Sequence, residues 1–373
     1  MRFLHLADLH LGKQMNDLSL LEDQEYILGQ ISELAQRERV EAVLIAGDVY
    51  QRSSPQAEAM ALFDAFVSGL AARGMRVYVI SGNHDSAERI SYLGSLIRPA
   101  GVYVTEAFEG TLQHEMLRDP DGEIDIWMMP FLRPAQVKRW LPEERITTYQ
   151  EAVEAVLRGA EIHPDRRNVL LCHQFITGSE RCGSEEMAVG GLDQIDGSIL
   201  EAFDYVALGH IHKAQRVGRE TVRYAGSPLK YAFTEANDRK SVTIVDLGAK
   251  GDTQVRILPL TPLRDVRVLE GRMEELMRQP YSEDYVWITI HDELVPPDAR
   301  VTLSVNFPNL LKFSIVNSRT KENVDVLAQE RLENRTVTEL FEDFYRFQNH
   351  DQPLGAAHRK TLEKVLRELE EEA

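Results

Sequence analysis

Short apolar runs alternate with longer amphipathic stretches along most of the chain, and this alternation sets the expected fold class. Residues 2–7 read as a strand. Residues 18–37 read as a helix with Leu21, Tyr26, Ile27, Ile31 and Leu34 on one face. Ala42-Val43-Leu44-Ile45-Ala46 is a second buried strand. Pro55 then opens a helix through about residue 73, with Met60, Leu62, Phe63, Phe66 and Leu70 inward. Val77-Tyr78-Val79-Ile80 is a third strand. The order β-α-β-α-β predicts a parallel α/β sheet with helices on its faces. Residues 102–104 and 124–129 continue as strands around the turn Asp119-Pro120-Asp121-Gly122. A short helix is expected at 149–159, buried strands at 169–173 and 206–208, and a polar, Gly-rich loop at 176–195. Residues 222–229 read as strand then turn, and strands at 241–246 and 254–259 close the sheet.

The segment between Pro259 and Pro262 reads as a boundary. Beyond it, strands at 266–269, 286–290, 301–305 and 312–316 and a helix at 273–278 predict a small α+β module. From Thr336 the pattern turns helical. Val337, Leu340, Phe341, Phe344 and Tyr345 form one apolar stripe, and Leu362, Val365, Leu366 and Leu369 form another after Pro353 and Gly355. Such a pair of helices either packs on the body or docks a partner. The expected domains are therefore 1–260, 263–330 and 335–373.

Charge and cysteine content narrow the function classes. The chain has 373 residues and a formal net charge of −18, which argues against coating nucleic acid or an anionic membrane by bulk charge. Bound cations can still reverse the field locally. Two cysteines, Cys172 and Cys182, fit a reducing compartment rather than a disulfide framework. The first strand follows the initiating Met directly, and no apolar run approaches the ~18 residues that span a bilayer. The expectation is a cytoplasmic protein with no membrane partner.

The candidate chemistry sits where the strands stop. The third strand ends at Ser81-Gly82-Asn83-His84-Asp85, which puts an amide, an imidazole and a carboxylate on one tight turn. In open α/β sheets, ligands bind at the carboxyl ends of strands. The other strands end in the same manner, at Asp8-Leu9-His10, Gly47-Asp48, His173 and Gly209-His210-Ile211-His212. Side chains at i and i+2 of an extended chain share one side, so Asp8 with His10 and His210 with His212 read as ligand pairs on the edge of one sheet. Cys172 points away from His173 and reads as core. Mixed carboxylate, amide and imidazole donors suit Mn²⁺, Fe or Zn²⁺ better than Ca²⁺ or Mg²⁺. The set is large enough for two ions, which about 3.5–4 Å apart would clamp a phosphoryl centre.

In order and spacing, the series D-x-H, G-D, G-N-H-D, H and G-H-x-H resembles the calcineurin-like metallophosphoesterases over about residues 1–240. The resemblance implies a β-sandwich flanked by helices, with a small α+β capping domain and C-terminal helices. It implies Asp8, His10 and His212 on one metal, Asn83, His173 and His210 on the other, and Asp48 bridging both. His84 matches the histidine that is not a ligand and assists the leaving oxygen, with Asp85 orienting it. Ala7-Asp8-Leu9-His10-Leu11-Gly12, Tyr224-x-Gly226-Ser227-Pro228-Leu229 and the α+β cap narrow the resemblance to the SbcD-type nuclease subunits, bacterial counterparts of the Mre nucleases. That family implies two Mn²⁺ ions, with Mg²⁺ or another divalent ion as substitute. It implies 3′→5′ exonuclease action on duplex ends and endonuclease action at hairpins and single strands, in DNA double-strand-break processing, recombination and replication. Its cap helps to bind DNA, and its C-terminal helices dock on an SbcC ATPase. Its subunits pair as a homodimer within a heterotetramer, through helices such as those at 18–37 or 55–73. This chain has no G-x-x-x-x-G-K-[ST] loop of its own, so ATP would act through the partner. The sequence departs from some relatives after Asp48, where Tyr50, Gln51 and Arg52 stand in place of a further histidine.

Arg52, Arg89, Lys230 and Tyr231 are the candidate DNA contacts, with Arg133, Lys138 and Arg139 beside them. Two other readings remain: a phosphatase or nucleotide phosphodiesterase of the same superfamily, and a non-catalytic scaffold. The filled ligand series argues against the scaffold.

Overall fold

The computed structural model describes residues 1–180 and 194–318, and further on 341–342, 345–346, 354–355, 358–359 and 361–362. The two C-terminal stripes, most of the loop expected at 176–195, and Cys182 fall largely outside the described residues.

Two six-stranded sheets make up the body. The first runs in the order Thr253–Pro259, Ser241–Leu247, Arg2–Leu6, Ala42–Ala46, Arg76–Ile80, Val102–Val104. Its last four strands are parallel, and the 241–259 hairpin adds antiparallel. The second runs Gln215–Val217, Arg219–Tyr224, Tyr205–Gly209, Arg167–His173, Gly122–Met129, Gln113–Asp119. Here the middle four are parallel and each edge strand is antiparallel.

Side chains alternate between the two faces of each strand. Phe3, Leu44, Tyr78, Ile126, Val169 and Ala207 come from both sheets and form one buried cluster, so the sheets stack face to face. Leu4, Val43, Ile45 and Val77 point the other way, into a cluster with helices Leu21–Arg37 and Ala57–Ala72. Leu170, Cys172, Val206 and Leu208 do the same with helix Tyr149–Arg158, which starts on a capping box between Thr148 and Glu151. The result is a helix–sheet–sheet–helix sandwich. This is the β-sandwich flanked by helices that the resemblance implied, and it corrects only the single sheet with helices on its faces read from the apolar pattern. A strand such as Val169-Leu170-Leu171-Cys172 is apolar at every position, and the pattern does not distinguish a helix from a second sheet as its cover.

Smaller differences have equally local causes. Tyr26 and Met60, expected inward, are 43% and 49% exposed. The stretch 301–305 is not a strand. Residues Ala299–Leu303 form one helical turn after Pro296-Pro297-Asp298, with the Thr302 N–H donating to the Asp298 carbonyl at 2.9 Å. Ala299 and Leu303 are buried at i and i+4 while Val301 is 72% exposed, so helical spacing overrides the apparent alternation. Strands Val266–Gly271, Tyr285–Ile290 and Leu310–Ile315 form a three-stranded sheet in that order, and a helix covers Met273–Met277. The chain divides into two compact units. One comprises Met1–Leu269, Pro280–Ile288 and Ser304–Lys312, and the other Glu270–Gln279, Thr289–Leu303 and Phe313–Ala373. Among the described residues, no helix is long and apolar enough to cross a membrane.

Candidate metal centre

The site is assembled from both sheets of the larger unit. The first sheet delivers Asp8 and His10 after Arg2–Leu6, Asp48 after Ala42–Ala46, and Asn83, His84 and Asp85 after Arg76–Ile80. The second delivers His173 at the end of Arg167–His173 and His210 and His212 after Tyr205–Gly209. This corrects the placement of all the ligands on one sheet edge. Backbone bonds tie the strand ends together: Asp8 N–H donates to Gly47 O at 3.0 Å and His10 N–H to Asp48 O at 2.9 Å. The sheets are stitched to each other by His173 Nδ1–H to Ala46 O at 2.7 Å and His210 N–H to Asp8 Oδ1 at 2.9 Å.

The ligand pairs converge for a reason other than extended-chain alternation. Asp8, His10, Asp48 and His210 all have positive φ, at 54°, 44°, 49° and 97°. Non-glycine residues rarely occupy that region, and strained backbone of this kind concentrates at functional sites. The neighbouring glycines make the close approach feasible. A Cβ at Gly82 would lie 2.1 Å from Asp48 Oδ1, and one at Gly209 would lie 1.9 Å from Ala46 O.

Three overlapping groups of potential ligand atoms result, namely Asp8, His10 and His212; Asp8, Asp48 and His173; and His10, Asp48 and His84. Asp48 Oδ2 sits between two of the imidazoles, 3.6 Å from His10 Nε2 and 3.3 Å from His173 Nε2. Asn83 Oδ1 lies 3.1 Å from His173 Nε2 and 3.0 Å from His210 Nδ1. His10 Nε2 and His212 Nε2 face each other at 3.0 Å. Asp8 Oδ2 is buried with no hydrogen-bond partner. Buried polar atoms are normally satisfied, so an orphan oxygen beside two facing imidazole nitrogens fits a divalent cation. The fold and donor set thus make a candidate dimetal site.

Packed this closely, the side chains shift one another's proton affinities. Burial pushes the Asp8 carboxyl up to about 6, against the pull of His173 and His212. Burial also opposes charge on Asp48, but His173, His10 and His84 hold its carboxyl well below the usual range. His173 is raised to about 9, because the Asp48 carboxylate and then Asp8 outweigh its own burial. Burial keeps His10 far below the ordinary imidazole value, hence neutral. Asp85 works through the backbone. Its oxygens accept N–H bonds from Val49 at 3.1 Å, Tyr50 at 2.9 Å and Gly82 at 2.9 Å, joining the Asp48 turn to the Asn83 turn. His84 Nδ1 faces the Gln51 carbonyl at 3.2 Å and its Nε2 lies 4.0 Å from Asp48 Oδ2. A carbonyl only accepts, so Nδ1 carries the proton.

The structure separates the candidate DNA contacts. Arg52 is exposed on a polar hollow of about 350 Å³ that also holds Lys13 and Gln51, and Arg89 is exposed too. Lys230 is tied to Asp265 at 2.9 Å and to the Ala236 carbonyl at 2.7 Å. Tyr231 is 4% exposed, its hydroxyl donates to Leu9 O, and its ring lies edge-on to His10 and His212, 5.7 and 5.9 Å away. It braces the histidines rather than offering a face to a base. Among the other three cations, Arg133 sits 5.0 Å over the ring of Phe131, which itself stacks on His210 at 6.1 Å. Sequence reasoning missed Phe131, Gln24 and Glu235. Gln24 Nε2 donates to His10 O at 2.9 Å, and Glu235 Oε1 stands 3.5 Å from His212 Nδ1.

This sandwich, with candidate metal ligands gathered at the strand ends, is that of a phosphoesterase. The chain belongs to the calcineurin-like phosphoesterase family, whose model matches residues 1–214. A second model, described as the type 5 capsule protein repressor C-terminal domain, matches residues 262–349. Two curated relatives are named as the SbcD subunit of the nuclease SbcCD. The one from Staphylococcus epidermidis is 29% identical over 376 residues, covering 98% of each chain. The one from Staphylococcus saprophyticus subsp. saprophyticus is 28% identical, covering 100% of this chain and 99% of that protein.

Proposed function

We propose that this chain is the nuclease subunit of an SbcCD-type complex, a two-metal phosphodiester hydrolase acting on DNA duplex ends and hairpins in break repair, recombination and replication. The observation that carries the reading is the convergence of Asp8, His10, Asp48, Asn83, His173, His210 and His212, with His84 at the rim, in a chain matched end to end by relatives of that name. Asp8, His10 and His212 would hold one ion and Asn83, His173 and His210 the other. The position of Asp48 Oδ2 between His10 and His173 supports its serving both. Two divalent cations, Mn²⁺ in this reading with Mg²⁺ as a substitute, would supply Lewis-acid polarisation of the phosphoryl oxygens and a water of lowered pKa.

The protein's own contribution is positioning and proton transfer. Hydrogen-bonded through Nδ1 to Gln51, His84 turns Nε2 toward Asp48 with its side chain 15% exposed. With Nδ1 already protonated, it is the imidazolium form of His84, carrying a second proton at Nε2, that would pass a proton to the departing sugar oxygen. Asp85 keeps the Asp48 and Asn83 turns in register. Arg133 and Arg52, exposed near the site, would grip flanking phosphates. The segment 263–330 would act as the cap, and helices in 335–373 would dock an SbcC ATPase in the cytoplasm. A homodimer within the heterotetramer would pair through helices such as those at 18–37 or 55–73, where Tyr26 and Met60 are exposed.

The test is cleavage of a hairpin-ended duplex with Mn²⁺ and then Mg²⁺, comparing wild type with His84→Asn, with and without SbcC and ATP. We expect Mn²⁺-dependent cutting that falls by about 10²–10⁴-fold in the variant, with metal content unchanged. Hydrolysis of p-nitrophenyl esters with no cutting of any DNA would instead make the protein a phosphatase.

A further inference from the structure

Two oppositely charged side chains that are not candidate ligands converge on His212 from behind. Glu235 is wholly buried and Lys240 is 8% exposed. The Lys240 ammonium donates to Glu235 Oε2 at 2.5 Å, to the His212 carbonyl at 2.9 Å and to Ser227 Oγ at 2.9 Å, which uses all three of its protons. The other oxygen of Glu235 stands 3.5 Å from His212 Nδ1, while His212 Nε2 faces His10 and Asp8 in the ligand cluster. Lys240 therefore holds the His212 backbone, and Glu235 faces the far side of its ring.

A buried ion pair is poor value as a stabilising device. Removing two charges from water costs as much as their attraction returns, and apolar replacements are often neutral or better. Its location explains it better. A histidine that binds metal through one nitrogen commonly donates its other N–H to a carboxylate, which fixes tautomer and ring orientation and raises basicity. We infer that Glu235, anchored by Lys240, is a positioning residue for His212 and sets the affinity of one of the two metal sites. His173 has a backbone partner in the same role, since its Nδ1–H donates to Ala46 O at 2.7 Å. The two sites are thus held from behind by different means, one by a carboxylate and one by a peptide carbonyl. Only the first is open to side-chain replacement.

The inference rests on the dimetal reading, and its test separates the two. Mn²⁺ is titrated calorimetrically into the metal-stripped full chain, and the loaded protein is examined by Mn²⁺ electron paramagnetic resonance. Wild type takes up two ions with a spin-coupled spectrum. Glu235→Ala weakens one site by about 10–100-fold and leaves the other unchanged, so the coupled spectrum gives way to that of a single ion. Glu235→Gln, which keeps an acceptor oxygen for the His212 N–H, recovers part of the lost affinity. Glu235→Ala also strands the Lys240 charge, so the double variant Glu235→Met with Lys240→Met removes both charges at similar volume. It folds and shows the same one-site loss. Two sites of wild-type affinity in the double variant, or equal weakening of both, overturns the inference while leaving the dimetal reading standing. A wild type that takes up no Mn²⁺ overturns both.

Discussion

His173 shows what a single side chain experiences in this site. Its ring lies 3.3 Å from Asp48, donates through Nδ1 to a peptide carbonyl and is wholly buried. Against its burial, the neighbouring carboxylates raise its pKa from an ordinary 6.5 to about 9. A group whose pKa is higher folded than unfolded binds more protons in the native state, so its stabilisation is full below the unfolded value and lost as pH rises through the folded one. Chelator-treated protein should therefore lose thermal stability between pH 6.5 and about 9, and His173→Gln should flatten that slope. Metal ligation requires the unprotonated ring, so Mn²⁺ binding at a pH of about 7.5 should release protons. Calorimetry in buffers of different ionisation enthalpy counts them. A count of zero would mean that His173 is already neutral in the empty site.

The strand–turn element, repeated at five positions, carries the site. Each apolar strand stops at a short turn, and in three of the five a glycine immediately precedes a candidate ligand (Gly47, Gly82 and Gly209), giving room for the close approach. At Gly82 an added methyl would meet Asp48 Oδ1 at 2.1 Å and Asp48 N at 2.5 Å, and the second of these is backbone that cannot swing aside. Gly82→Ala should therefore cost about 1–3 kcal/mol of stability, as overpacking does, and weaken metal uptake. Thermal melts and metal titration read the two effects separately, and a variant with both unchanged would show that the turn relaxes. These turns were legible in the sequence because a polar residue next to glycine interrupts an otherwise apolar run. The division of their strands between two sheets was not, because strands buried on both faces carry no mark of which layer covers them. Glu235 was equally silent. Nothing in Tyr231-Ala232-Phe233-Thr234-Glu235 distinguishes a wholly buried carboxylate from a surface one, and its partner His212 lies 23 residues away.

At the scale of the whole molecule, charge is distributed so that the rare buried ions do specific work. Away from the candidate metal centre, Asp119 pairs with Arg167 and with the Met1 ammonium, and Arg167 also donates to Gly248 O at 2.9 Å and Gly122 O at 2.8 Å, which ties the two sheets together. The Arg167 guanidinium holds the Asp119 carboxyl well below its ordinary 3.8, so its stabilisation is complete above that pH and is lost as pH falls below it. Asp119→Ala, which leaves Arg167 2% exposed and unpaired, should cost about 3–5 kcal/mol by chemical denaturation and remove that acid-sensitive component. Over the surface, by contrast, the formal charge of −18 repels DNA. On the proposed reading, the isolated chain draws its DNA affinity from a few cations near the site, and the exposed Arg133 over Phe131 and Arg52, in the hollow that Lys13 also lines, are the candidates. Binding to a short duplex should then be weak and limited by a small number of released counterions. Arg52→Ala combined with Arg133→Ala should lower the slope of log affinity against log salt by about 2, one per lost phosphate contact, without altering metal uptake. Fluorescence anisotropy across a salt series measures that slope. Strong binding that ignores salt, or a slope untouched by the double variant, would move the DNA grip away from these residues.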